Sequence, residues 1–196
     1  MIGRLRGCLV HKSPTHALIE CGGVGYVCAI SLGTYAALPE EGQEALLHVE
    51  TLLRENELGL LGFATADERQ LYRLLVKVDG VGPKLALAAL GALPLGELVQ
   101  ALRGRDVKTL VRVPGVGKKT AEKMCFELSE KLGGLGGLEG LSGGAAPRDA
   151  WVSDLSSALT NLGFKEEAVL PLINGFKADR PPLAEAIRLC LKALQR

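Results

Sequence analysis

Apolar and polar positions alternate through much of the first 63 residues. "IGRLRGCLV" and "HALIECG" flank the turn "KSPT", "GGVGYVCAISL" follows, and "EALLHVETLL" and "LGLLGF" are joined by the polar tip "RENE". Successive side chains of a strand point to opposite faces, so this alternation predicts five half-buried strands. Between the third and fourth, "GTYAALP" predicts one helical turn stopped by Pro39. The period changes at about Ala64. Leu71, Leu74, Leu75 and Val78 follow the i, i+3, i+4, i+7 spacing of a helix with one apolar face. "PKLALAALGAL", "LGELVQALRG", "DVKTLVRV" and "KKTAEKMCFELSEKL" continue as short helices, and Ala121, Met124, Cys125 and Leu128 repeat the spacing in the last.

Residues 133–148 break the pattern with seven glycines in sixteen positions. Each glycine loses extra backbone entropy on ordering, which predicts a flexible tether with a reach of roughly 20–24 Å. Beyond it, Leu155, Leu159 and Leu162 stop at Gly163, a helix end capped by glycine. "AVLPLING" forms a second short helix, and Leu183, Ile187, Cys190, Leu191 and Leu194 line a third, with Pro182 just before it. The expected architecture is α+β and multidomain. An N-terminal barrel spans 1–63, for which the OB-fold is the commonest small solution, and a helical domain spans 64–132. A linker covers 133–148 and a three-helix module 149–196.

Charge sharpens this division. The chain is +1 overall, but residues 1–63 carry four basic and seven acidic side chains, and residues 64–132 twelve basic and eight acidic. An acidic half beside a basic half points to a polyanion gripped in one place and repelled in another. The five cysteines, Cys8, Cys21, Cys28, Cys125 and Cys190, are scattered with no CxxC pair and are expected as buried thiols of a reducing compartment. His11, His16 and His48 fall in no metal-ligand spacing, so neither metal nor other cofactor is expected. The N-terminus lacks the apolar run of a signal peptide or membrane span, which points to the cytoplasm and no membrane contact.

The chemistry centres on an internal repeat. "VDGVGPKLALAAL" at 78–90 matches "VPGVGKKTAEKMC" at 113–125 with an offset of 35 residues. Each copy reads as helix, Gly-Val-Gly turn and helix. Gly80, Val81 and Gly82, and later Gly115, Val116 and Gly117, allow a tight turn with unobstructed amides. The second helix of each copy then points its unpaired N–H groups and positive dipole end outward, which makes a site for phosphate oxygens. Lys84 in the first copy and Lys118, Lys119 and Lys123 in the second add charge, and Thr120 supplies a hydroxyl. Contacts of this kind position a duplex without reading its sequence.

Other readings of the repeat fare worse. A nucleotide P-loop requires a glycine five positions ahead of G-K-[ST], whereas Arg112 stands there and Lys119 follows Lys118. Glycosylases of the helix-hairpin-helix superfamily place a nucleophilic lysine where Lys119 falls. Their partner aspartate would lie in "GGLGGLEG", which offers only Glu139, and no iron–sulfur cysteine cluster is present. A flipped base needs an aromatic pocket, and residues 64–132 hold only Tyr72 and Phe126. A single-strand-binding barrel stacks bases on aromatics in a basic groove, whereas this one has Tyr26, Tyr35 and Phe63 and is net acidic. A general helix-hairpin-helix DNA-binding protein without structural preference remains the alternative.

The order of modules, with "MIGRLRG" at the start, "GGVGY" at 22–26, "GVGPKLALA" at 80–88 and "PGVGKKTAEK" at 114–123, resembles the RuvA family of Holliday junction-binding subunits over nearly the whole chain. The resemblance implies a non-enzymatic protein of recombination and DNA repair, part of the SOS response to DNA damage. It implies a homotetramer, or an octamer on DNA, that holds an open four-way junction on its basic face. The tethered tail recruits the hexameric ATPase RuvB, and the junction resolvase RuvC is a further partner. The resemblance also implies an acidic pin at the crossover, placed at the "RENE" tip. Glu55 matches the family's first pin acid, the second is Asn56 here, and either Glu57 restores the charge or the pin is weaker. "LGF" at 162–164 is similar to the loop of ubiquitin-associated three-helix modules, a likeness of fold alone.

Overall fold

The computed structural model describes residues 1–54, 57–133, 150–162, 164, 166–176 and 180–194. The chain forms two compact units divided between Gly143 and Gly144.

In the first unit, β1 (Arg4–Lys12), β2 (His16–Cys21), β3 (Val24–Ile30), β4 (Glu44–Arg54) and β5 (Glu57–Phe63) close into a barrel of order β1-β2-β3-β5-β4. All pairs are antiparallel except β3–β5, which closes the barrel through the parallel pairs Ala29↔Leu61 and Ile30↔Gly62. Alternation sends Leu5, Leu9, Ala17, Ile19, Cys28, Ile30, Leu47 and Val49 inward, where all are buried. At Gly62 an added Cβ would stand 2.8 Å from Leu47 Cδ1, so a side chain there would intrude on that core. The helical insertion α1 (Leu32–Ala37) lies between β3 and β4.

The helices α2 (Ala66–Leu75), α3 (Pro83–Ala92), α4 (Leu95–Arg103), α5 (Val107–Val111) and α6 (Lys118–Gly133) follow. Their core joins Leu71, Leu75, Ala86, Leu90, Leu98, Leu102, Leu110, Ala121, Met124, Cys125 and Leu128 to Phe63 and Leu61 of β5. Val78 contributes from the turn after α2, because that helix ends at Leu75. Gly133, the first residue assigned to the tether from the sequence, is the last of α6. The remaining linker residues lie outside the described residues, as does the Gly163 cap.

A polar seam locks the barrel to α2. Ser31 caps α1 by accepting from the Thr34 N–H at 3.0 Å, and its own hydroxyl donates to Thr34 Oγ1. The Thr34 hydroxyl in turn donates to Glu68 Oε2 at 3.1 Å, and the Ala64 N–H donates to the same oxygen at 2.8 Å. All three side chains are buried. Beside them, the Arg69 guanidinium donates to the Gly3 carbonyl at 2.7 Å, Arg73 pairs with Glu50 at 2.7 Å, and the Phe63 and Tyr72 rings lie 5.1 Å apart. A buried carboxylate stripped of its donors costs more than the bonds it makes. Thr34→Val is therefore expected to destabilise this unit by about 1–3 kcal/mol in chemical denaturation, while Arg73→Ala, at an exposed pair, costs under about 1 kcal/mol.

The second unit holds α7 (Ala150–Asn161), α8 (Glu166–Gly175) and α9 (Leu183–Leu194) around Leu155, Leu159, Val169, Ile173, Ala186 and Cys190. Trp151 Nε1 donates to the Pro181 carbonyl at 3.1 Å, and its ring meets Phe176 edge-on. Leu162, expected on the apolar face with Leu155 and Leu159, is instead exposed, because α7 ends at Asn161 before the turn that would carry it inward.

Of the cysteines, Cys28, Cys125 and Cys190 are buried, but Cys8 faces solvent and Cys21 is half-buried, because Cys8 falls on the outward parity of β1. Burial pushes the Cys28 thiol up to about 11, so it stays protonated at neutral pH. Among the described residues no single helix is long and apolar enough to cross a membrane.

Candidate nucleic-acid interface

The repeat folds twice into the same structure. In the first copy Gly80 takes φ +85°, and in the second Gly115 takes +87°, a left-handed conformation that L-residues rarely adopt. The Val81 N–H donates to the Val78 carbonyl at 3.0 Å, and the Val116 N–H to that of Val113 at 3.0 Å. Val78, Val81, Val113 and Val116 are all buried, and these four side chains pin each turn to the helical core. The glycines between them are left at the surface. Ala86 donates its N–H to Gly82 and Ala121 its N–H to Gly117, so each new helix starts at the second glycine.

Among the described residues, the helix amides ahead of those first helical bonds have no partner and are open to a ligand. Gly82 caps α3 with no side-chain hydrogen bond, and a Cβ added at Gly80, Gly82 or Gly117 would meet nothing within 4 Å. Phosphate oxygens can therefore approach the N–H groups without a steric barrier, against the positive end of each helix dipole. The copies differ at one position. Pro83 opens α3 where Lys118 opens α6, so the first turn lacks one N–H that the second has.

Lys84, Lys118 and Lys119 are exposed, and among the described residues none has an ion-pair partner. Thr120 is partly exposed in the first turn of α6. Lys123 is engaged elsewhere: its ammonium lies 2.6 Å from Asp79 Oδ2, joining α6 to the first turn. Each partner favours the charged form of the other, so the Asp79 carboxyl is held below its ordinary range and the Lys123 ammonium above its own. The tie is complete at neutral pH and is lost only when acid protonates Asp79 or strong alkali deprotonates Lys123. Leu85 Cδ1 packs against Gly115, 3.1 Å from where a Cβ would stand, so the two turns sit side by side.

Three residues on this surface were not singled out from the sequence. The offset of 35 also pairs Lys77 with Arg112, both exposed and both placed just before their turns. Arg112 reaches Glu97 at 3.4 Å. Asp79 is the third. The repeat itself held the signal for the two cations, since aligning the copies outward from the glycines places one above the other.

Glu55 and Asn56 lie outside the described residues. Glu57 opens β5 opposite Arg54.

Comparison with known proteins matches three family models along the chain. The RuvA N-terminal domain covers residues 1–62, the SAM-like helix-hairpin-helix tandem 72–130, and the RuvA C-terminal domain 150–195. Curated relatives align over their full length and all of this chain. A protein of Burkholderia mallei (strain SAVP1) is 41% identical over 196 residues. Proteins of Paraburkholderia phytofirmans and Paraburkholderia xenovorans are each 40% identical over 197 residues. Each carries the name Holliday junction branch migration complex subunit RuvA.

Proposed function

The chain belongs to the RuvA family, and on that premise we propose that it is a non-catalytic, sequence-independent binder of four-way DNA junctions. The observation that carries this reading is the duplicated Gly-Val-Gly turn. Two adjacent sets of outward amides, flanked by lysines that have no ion-pair partner among the described residues, suit the backbone of a duplex arm and offer nothing specific to a base edge. Gly80, Val81, Gly82 and Lys84 form one grip. Gly115, Val116, Gly117, Lys118, Lys119 and Thr120 form the other, with Lys123 holding the two together.

Four copies acting together would present these grips to four arms, as a tetramer or as a pair of tetramers enclosing the junction. The C-terminal unit exposes Leu162, Leu170 and Leu189, an apolar supply for docking the hexameric ATPase RuvB that drives branch migration. RuvC gains access to the same held junction. The setting is the cytoplasm.

Glu55 and Glu57 repel the phosphates of any duplex that crosses the centre, which disfavours linear DNA over a junction with an open middle. A gel-shift titration without metal or ATP tests the reading, comparing a four-way junction with a linear duplex of equal length across a range of salt. Clear junction preference is the expected result, and equal affinity for both would reduce the protein to a general phosphate binder. In the Glu55→Gln/Glu57→Gln variant overall affinity is expected to hold or rise while the preference shrinks. A uniform loss of affinity would remove the pin from the account.

A further inference from the structure

The two grips are not equals. At the offset of 35, Asp79 stands where the second copy has Pro114, Pro83 where it has Lys118, and Leu85 where it has Thr120. Every exchange works in one direction. The first copy loses an amide, an ammonium group and a hydroxyl, and it gains a carboxylate. That carboxylate directly precedes Gly80, whose left-handed turn leads into the amides of the first grip.

Asp79 acts on the second copy as well. Its Oδ2 lies 2.6 Å from the Lys123 ammonium, and Lys123 stands one helical turn beyond Lys119 on the same face of α6. Glu127, a turn further on, is a weaker influence on that ammonium. The pair does little for the fold: the Asp79 side chain is 85% and that of Lys123 42% exposed, and ion pairs so open to water add little stability. What the pair changes is the charge offered to a duplex. Lys84, Lys118 and Lys119 have no ion-pair partner among the described residues, whereas the charge of Lys123 is matched. A carboxylate one residue from the first turn also lies within the screening length of about 8–10 Å, so it opposes a phosphate docking there.

We propose that Asp79 is a brake on the DNA grip, which withholds Lys123 from phosphate and makes the first turn the weaker of the two. The inference rests on the reading of both turns as phosphate grips. Asp79 is a positioning residue in this account, since it fixes where the Lys123 ammonium lies and does not itself meet DNA. Its effect is one firm hold and one loose hold on the same arm. The arm can leave the first turn while the second keeps it.

The test follows the full chain on a four-way junction and on a linear duplex by fluorescence anisotropy across a salt series. Asp79→Asn is expected to bind both DNAs about five- to tenfold more tightly, the scale of one charge-assisted contact regained. Its slope of log affinity against log salt should steepen by about 0.9. Asp79→Asn/Lys123→Ala is expected to return to the wild-type slope, and Asp79→Glu, which can keep the ion pair, to stay near wild type. Thermal melting should be unchanged throughout, because the pair is exposed. A loss of affinity in Asp79→Asn would overturn the inference, since the tie would then align the turns for binding. So would a double variant as tight and as salt-sensitive as Asp79→Asn, which would leave Lys123 no part in the effect. An unchanged slope in Asp79→Asn overturns it too when Lys118→Ala/Lys119→Ala flattens the slope in the same series. If that lysine variant also leaves the slope unchanged, the grip reading itself has failed and the brake with it. Equal affinity of wild type for junction and duplex would bring down the junction preference alone, because the brake acts on either DNA.

Discussion

Junction affinity falls by roughly tenfold for each lysine when Lys118 and Lys119 are replaced by alanine, the scale of a charge-assisted hydrogen bond of about 1.5 kcal/mol. Both side chains are exposed and, among the described residues, without an ion-pair partner, so their loss leaves the fold within about 0.5 kcal/mol of wild type. Salt dependence gives the more specific readout. The slope of log affinity against log salt should become shallower by about 0.9 for each phosphate contact removed. Fluorescence anisotropy across a salt series measures both quantities, and an unchanged slope would mean that these lysines never touch phosphate. Lys123→Ala serves as the contrast: its charge is already matched by Asp79, so it should alter the slope less than either neighbour.

The second large effect concerns the barrel. At Gly7 an added Cβ would stand 2.0 Å from the Glu20 carbonyl oxygen, 2.9 Å from its carbon and 3.0 Å from Cys21 Sγ. β1 is held there between β2 and β4, through Cys8↔Glu20 on one side and Gly7↔Ala45 on the other, so neither neighbour can yield without breaking a ladder. Gly7→Ala is therefore expected to cost about 3 kcal/mol or more, a fall of roughly 6–12 °C in the melting of this unit. Gly82→Ala is the control, with an ordinary φ of −84° and open space around its Cβ. It should melt like wild type, and any loss it shows should appear only in DNA binding.

What the sequence disclosed follows from which forces leave a periodic trace. The strands, the apolar faces of the helices and the twin turns were legible because alternation, 3.6-residue spacing and glycine placement are all local. The repeat showed in advance that the two turns share one geometry. The seam of Ser31, Thr34 and Glu68 was not legible, because buried polar residues paired across 34 positions look like ordinary surface residues until the fold joins them. The same limit hid Asp79, whose partner Lys123 lies 44 positions away. Leu53 and Leu58 mislead in the opposite direction: alternation assigns them to a core, and only the end of neighbouring strands leaves them bare.

The bareness of the twin turns bears on movement as well as on holding. Glycine amides and lysine ammonium groups would meet a phosphate in the same way at every nucleotide, and nothing projects from Gly80, Gly82 or Gly117 to catch on a particular base. The energy of such a grip repeats with each step along the strand and has no preferred stopping place. An arm advanced by one base pair regains the contacts it gave up. A motor pulling DNA across this surface would then work against friction between equal wells, with no net slope to climb.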